Sequence, residues 1–195
     1  MKMKELFKKY GCYKILHDYS ELYEADFGPI RKEKLNFLEV GIFQGQSINV
    51  WLEYFPNANI YAIDTFERFS VEALPMLNHE RVTYAKLDST SKACNDYFKE
   101  LGVKFDFIID DGLHTPDGQR KTFDNLIEFT DTYYIEDVWN LEKLGKNHSW
   151  IRKHPNDFTL HKYKKLIETI EKYTVTHHDW RLKNKPDSYI LKVCK

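Results

Sequence analysis

Most of the features that assign a protein to a class at a glance are scarce or missing in these 195 residues. There are three cysteines, Cys12, Cys94 and Cys194, an odd number with no C-x-x-C spacing; this argues against a disulfide framework or a zinc knuckle and for three reduced thiols. No stretch approaches the apolar length needed to cross a bilayer, and the charged opening MKMKELFKKYG lacks the apolar run of a secretory signal, so a cytoplasmic protein working away from membranes is expected. Neither sign of charge is in excess: 29 lysines and arginines face 30 acids for a net charge of -1, which gives no electrostatic reason to expect a nucleic-acid partner. Glycine is limited to eight residues and never forms G-x-G-x-x-G, the usual cradle for a dinucleotide pyrophosphate. Internal repeats and low-complexity segments are also missing.

What is present suits a globular chain: 42% hydrophobic and 15% aromatic residues, enough to build one substantial core. Residues 1–30 read as an N-terminal helical segment, with Leu6, Phe7 and Tyr10 on one face and Leu22, Tyr23 and Phe27 on another, until GPIRKEK breaks the pattern. Residues 31–195 then alternate between two periodicities and are expected to form a single α/β domain. LNFLEVG, ANIYAID, RVTYAKLD, FDFIID and TYYIED read as buried strands ending near Glu39, Asp64, Asp88, Asp110 and Glu136. Between them, Ile48, Trp51, Leu52 and Phe55 share a helical face, a helical stretch is expected near residues 68–78, and Cys94, Tyr97, Phe98 and Leu101 mark another helix, as do Phe123, Leu126 and Ile127. After a helix carrying Leu160, Tyr163, Ile167 and Ile170, the chain closes with YTVTHHDW, a turn KNKPD and SYILKVCK, a hairpin. The expected architecture is a doubly wound sheet of seven strands, mostly parallel with a terminal antiparallel hairpin, and helices on both faces.

Ligands of such sheets sit beyond the carboxyl ends of the strands. The first turn, EVGIFQGQS, places Gly41 and Gly45 beside Glu39, an arrangement better suited to a ligand with an ammonium group than to a diphosphate. Asp64 lies at the distance from Gly41 at which an acid reaches ribose hydroxyls, and Asp88 could accept from an adenine amine. Ammonium, ribose and adenine together describe S-adenosylmethionine. The plainer alternative for each acid is a helix cap or a turn.

The stretch FDFIIDDGLHTPDG carries the reaction end. Asp110 and Asp111 leave the fourth strand, and Glu136 and Asp137 leave its expected neighbour. Four converging carboxylates would repel one another unless a cation lay between them, and all-oxygen ligands suit Mg²⁺, with Mn²⁺ as an alternative. His114 stands where an imidazole could take a proton from a hydroxyl polarised by that cation. Against this, DDG and PDG are ordinary turn sequences, and HTPDGQ could simply begin a helix. His177 and His178 are adjacent on a strand and point to opposite faces. His148 and His154 lie in the tryptophan-containing connector 138–156, a candidate wall or lid of the acceptor pocket.

Four ordered motifs, KILHDYSELYE, LNFLEVGIFQGQSINVWLEYFPNANIYAID, FDFIIDDGLH and YYIED, resemble the metal-dependent class I O-methyltransferases of the macrocin and mycinamicin sugar type, a group also similar to the cephalosporin hydroxylase-like proteins. The resemblance implies a Rossmann-like class I methyltransferase domain over residues 31–195, with the N-terminal segment covering the cofactor region through His17, Tyr19 and Tyr23. It implies Mg²⁺ on Asp111, Glu136 and Asp137, and His114 as base with Asp111 as its catalytic partner. S-adenosylmethionine is expected against Glu39, Gly41, Gly45, Ser47, Asp64, Asp88, Asp110 and Tyr19. The implied activity is Mg²⁺-assisted methyl transfer to a hydroxyl of a sugar or other small molecule, and the resemblance also suggests a homo-oligomer. Leu113, Tyr13 and VWNLEKLG depart from the family pattern, all on the acceptor side. Two other readings are a non-haem iron oxygenase, which wants two histidines and a carboxylate, and a non-catalytic protein that binds S-adenosylmethionine.

Overall fold

The computed structural model describes residues 1–144, 148–181 and 185–195. The chain begins with helix α1 (Met3–Tyr10), a 3-10 turn at Tyr13–His17 and helix α2 (Ser20–Phe27). The alternation then follows: β1 (Asn36–Val40), α3 (Gln46–Tyr54), β2 (Asn59–Asp64), β3 (Val82–Lys86), α4 (Lys92–Leu101), β4 (Phe107–Asp110), α5 (Pro116–Leu126) and β5 (Thr132–Ile135). Short helices α6 (Leu141–Leu144) and α7 (Ser149–Lys153) lead to α8 (Leu160–Ile170), and β6 (Thr174–Asp179) and β7 (Tyr189–Cys194) close the chain. The strands form one seven-stranded sheet in the order β3-β2-β1-β4-β5-β7-β6. The first five are parallel, while β7 runs antiparallel to both β5 and β6. This is the mostly parallel sheet with a terminal antiparallel hairpin that the sequence predicts. Part of that hairpin's turn, KNKPD, and the end of VWNLEKLG lie outside the described residues.

One expected helix is replaced. Residues 68–78 form two 3-10 turns, Val71–Ala73 and Pro75–Asn78, instead of an α-helix. Pro75 is the reason: it has no N–H to donate, and it pushes Leu74 out of the helical region, to φ -122° and ψ 71°.

Two apolar cores lie on opposite faces of the sheet. On one face Phe27, Phe37, Trp51, Phe55, Phe107 and Tyr134 are packed together. Phe107 stacks on Phe27 and Phe37 with centroids 4.4 and 4.7 Å away. Met3, Leu6 and Phe7 of α1 and Tyr19 and Tyr23 join the same core, so the first thirty residues are packed into the sheet rather than appended to it. On the other face Leu38, Val40, Ile108, Tyr133, Ile135 and Leu191 meet Cys94, Phe98, Phe123 and Leu166. Because side chains alternate along a strand, this assignment also decides where the acids go. Glu39, Asp111 and Glu136 continue the face of Phe37, Ile109 and Tyr134, whereas Asp110 continues that of Ile108.

Candidate active site

The site begins where the aromatic core of the first face ends. Glu39 and Glu136 are almost fully buried, and between them stands the ammonium of Lys14, itself only 4% exposed. Lys14 Nζ lies 2.5 Å from Asp111 Oδ2, 2.7 Å from Glu136 Oε2 and 3.5 Å from Glu39 Oε1. Burial opposes its charge, but Asp111, Glu136 and Glu39 together overcome that penalty and hold its pKa well above the ordinary lysine range. Glu39 Oε2 accepts from Ser47 Oγ at 2.8 Å and from the Trp51 indole N–H at 3.0 Å. Its Oε1 has no hydrogen-bond partner among the described residues. Burial pushes the Glu39 carboxyl up to about 7, against the pull of Lys14. Glu136 is raised even more strongly by burial; its Oε1 accepts from the Tyr23 hydroxyl, and its backbone carbonyl accepts from Gln119 Nε2 at 2.8 Å.

Asp137 is the next residue outward and has a different set of partners. It adopts a left-handed backbone conformation with φ +52°, uncommon for a residue other than glycine. Tyr19 Oη lies 2.6 Å from its Oδ1 and accepts its N–H at 3.3 Å, so one tyrosine grips both the side chain and the backbone of the strained residue. His17 Nδ1 lies 3.5 Å from the same Oδ1 and 3.0 Å from Ser188 Oγ, which ties the N-terminal segment to the terminal hairpin. The Asp187 carboxyl alongside is pushed up by burial and by Asp137.

His114 reaches the site from a helix start. Thr115 caps α5 by accepting the Gly118 N–H, and Pro116 occupies the first turn, where its missing N–H costs nothing. HTPDGQ therefore does begin a helix, and in doing so it leaves His114, half-exposed, at the mouth. Its Nε2 lies 3.7 Å from Asp111 Oδ1 and 3.9 Å from Asp137 Oδ2. Asp111, His114 and Asp137 can each present one ligand atom with all three within 4.8 Å of one another. Two carboxylate oxygens and one imidazole nitrogen form a donor set compatible with Mg²⁺ or Mn²⁺. It differs from the two-histidine, one-carboxylate set of the iron oxygenases.

The residues expected to meet the cofactor are only partly brought together. Gly41, with φ +90°, sits so close to the β4 turn that a Cβ would lie 2.1 Å from the Asp111 carbonyl oxygen, so the turns after β1 and β4 touch and only glycine fits. Gly45, also left-handed at φ +73°, opens α3, and Ser47 is spent on Glu39. Asp64 accepts from the Ile42 and Phe43 amides through Oδ2 and from the Phe66 amide through Oδ1, which binds the second turn to the first. Asp88 is exposed two residues beyond the end of β3, bonded to the amide and hydroxyl of Thr90. Asp110 faces away from this group: buried on the second face, it meets the Gly112 amide and the Tyr133 hydroxyl, and burial raises its carboxyl to about 7. Sequence reasoning overlooked the role of Lys14, and with it Ser188, Asp187 and Gln119. For Lys14 there was a signal, since it stands in the same motif as His17, Tyr19 and Tyr23.

No family model matches the chain. Among curated proteins it is 29% identical to the 8-demethyl-8-(2-methoxy-alpha-L-rhamnosyl)-tetracenomycin-C 3'-O-methyltransferase of Streptomyces olivaceus over 133 residues, 63% of this chain and 33% of that one. It is 28% identical to the demethylmacrocin O-methyltransferase of Streptomyces fradiae, over 64% of this chain and 32% of the relative. The chain thus spans about a third of the length of the curated relatives it matches. Among solved structures, the MycE methyltransferase of mycinamycin biosynthesis in complex with Mg and SAH superposes with a TM-score of 0.72 and 23% identity, covering 100% of this chain and 55% of that one. Aeropyrum pernix fibrillarin with bound S-adenosyl-L-methionine follows at 0.57 and 15%, covering 83% of this chain and 67% of that one. The sheet thus has the Rossmann-like methyltransferase fold, and over 63–64% of its length the chain is similar in sequence to the tetracenomycin, macrocin and mycinamicin O-methyltransferases.

Proposed function

We propose that the protein transfers a methyl group from S-adenosylmethionine to a hydroxyl of a sugar or similar small molecule, assisted by Mg²⁺ or, alternatively, Mn²⁺. The observation that carries this reading is the meeting of Asp111, Asp137 and His114 at the carboxyl ends of β4 and β5, next to the glycine turn of β1. Asp111 and Asp137 would hold the cation, with Glu136 directly behind them. Glu39 Oε1, buried and without a hydrogen bond though 3.5 Å from the Lys14 ammonium, suits the ammonium of the cofactor, and Asp64 would meet its ribose from the second turn. When bound, the cofactor supplies an activated methyl group and the cation lowers the cost of ionising the acceptor hydroxyl.

The protein's own contribution is alignment and proton management. His114, within 4 Å of both carboxylates, accepts the hydroxyl proton as the new C–O bond forms and the C–S bond breaks, and the neighbouring acids stabilise the resulting imidazolium. Tyr19 keeps Asp137 in its strained conformation. The homologues support a sugar or similar acceptor and a small-molecule partner.

Calorimetric titration of S-adenosylhomocysteine into Mg²⁺-loaded protein tests the first half, and an absence of binding would sink the proposal. With an acceptor found by screening glycosides, His114→Ala should lower kcat by about 10²–10⁴-fold while leaving S-adenosylhomocysteine affinity within about threefold. Turnover that survives this substitution would remove His114 as the base.

A further inference from the structure

Lys14 supplies a cation to Asp111, one of the two carboxylates that the proposed function assigns to a metal, and to Glu136 beside the other. Its ammonium takes Asp111 Oδ2 and Glu136 Oε2, and the other oxygen of Glu136 is taken by Tyr23. Each oxygen of Glu136 therefore already accepts one hydrogen bond, and a metal could use only a remaining lone pair, beside the Lys14 ammonium or the Tyr23 hydroxyl. A divalent ion gripping Asp111 would sit within a few ångströms of a fixed positive charge in a poorly hydrated pocket, where like charges repel strongly. Lys14 is also what docks its own segment. In the turn Tyr13–His17 the apolar residues Tyr13 and Leu16 are 54% and 49% exposed and Ile15 packs only partly on the core, so little hydrophobic burial holds this turn down, unlike Tyr19, Leu22 and Tyr23 after it. What does hold it is polar: Lys14 on Asp111 and Glu136, and His17 on Ser188.

We infer that Lys14 is a positioning residue and a built-in competitor for the site's cation: it docks the turn of residues 13–17 over the carboxylates of the cation-free protein, and a divalent ion bound there loosens that strap. The inference rests on the proposed cation site. Linkage makes the effect reciprocal: the factor by which bound metal weakens Lys14's docking is the factor by which that docking weakens metal binding.

The test titrates MgCl₂ into the cofactor-free protein by calorimetry and follows amide hydrogen exchange of residues 13–17 with and without Mg²⁺, for the wild type, Lys14→Met and Lys14→Arg. Lys14→Met should bind Mg²⁺ at least about tenfold more tightly than the wild type, given the loss of a neighbouring positive charge. Lys14→Arg, which keeps the charge, should stay within about threefold. Saturating Mg²⁺ should speed exchange in the wild-type strap, and in Lys14→Met the strap should exchange fast from the start. Equal or weaker Mg²⁺ binding by Lys14→Met, or slower strap exchange when Mg²⁺ is added to the wild type, overturns the inference while leaving the metal-assisted reading intact. No Mg²⁺ binding by any of the three overturns both. If Lys14→Met does not fold, wild-type exchange with and without Mg²⁺ decides by its direction alone.

Discussion

Asp64 and Asp88, after β2 and β3, find their hydrogen-bond donors close by in the chain, whereas Asp111, Glu136 and Asp137, after β4 and β5, find theirs in the N-terminal segment. Asp88 bonds Thr90, two residues on, and Asp64 bonds Phe66, two residues on, and Ile42, 22 residues back. Lys14 is 97 residues from Asp111 and 122 from Glu136, and Tyr19 is 118 from Asp137. The first pair is partly exposed and met mainly by backbone amides, so it shapes turns. The second group is more deeply buried and met by side chains, so its charges depend on the whole fold being in place. A cluster of this kind is costly to build and costly to disturb, because a charge left unpaired in the interior has no water to turn to.

The largest effect expected from that contrast comes from Glu136→Ala, which deprives Lys14 of a partner and leaves the Tyr23 hydroxyl unbonded. It should cost about 3–5 kcal/mol in urea unfolding; a loss below about 1 kcal/mol would erase the distinction between the two groups. Tyr19→Phe removes one hydroxyl from Asp137 and should cost about 1.5–3 kcal/mol in the same experiment, the range for a hydrogen bond to a charged group. Asp88→Ala should change stability by no more than about 0.5 kcal/mol, as at most exposed sites, even though Asp88 also follows a strand. The smallest effect lies outside both groups, at His178, which stacks on Trp180 with the ring planes 16° apart. Burial, with Lys192 and His177, holds its pKa below the ordinary 6.5, against the pull of Asp26. A histidine depressed in the folded state contributes stability that is present above the unfolded value and lost as pH falls through the folded one. Between pH 7.5 and 5.5 the change in urea midpoint should therefore be slightly more favourable in His178→Asn than in the wild type, since the raised carboxyls of Glu39, Asp110 and Glu136 act equally in both.

Much of the fold is legible because the relevant forces are local. The strands around Leu38, Ile60, Ile108 and Tyr133 are short apolar runs. The face of Ile48, Trp51 and Phe55 repeats with helical spacing, and Thr115-Pro116 is a helix start by its chemistry alone. The stretch 68–78 was misread because its apolar residues suit a helix while Pro75 forbids one. Asp110 and Asp111 show the limit at the site. The pair is visible as DD at a strand end, yet strand alternation sends one to Tyr133 and the other to Lys14.

The sequence by itself determined the parallel sheet with its closing hairpin, the glycine turn beside Glu39, and the set of acids and the histidine available at the strand ends. These follow from hydrophobic periodicity, turn chemistry and residue type, which act over a few positions. Only the tertiary structure decided which of those acids share a face, and that a lysine from the first turn of the chain stands among them. Partnerships between residues about a hundred positions apart are set by how strands and segments pack, and no local pattern encodes them.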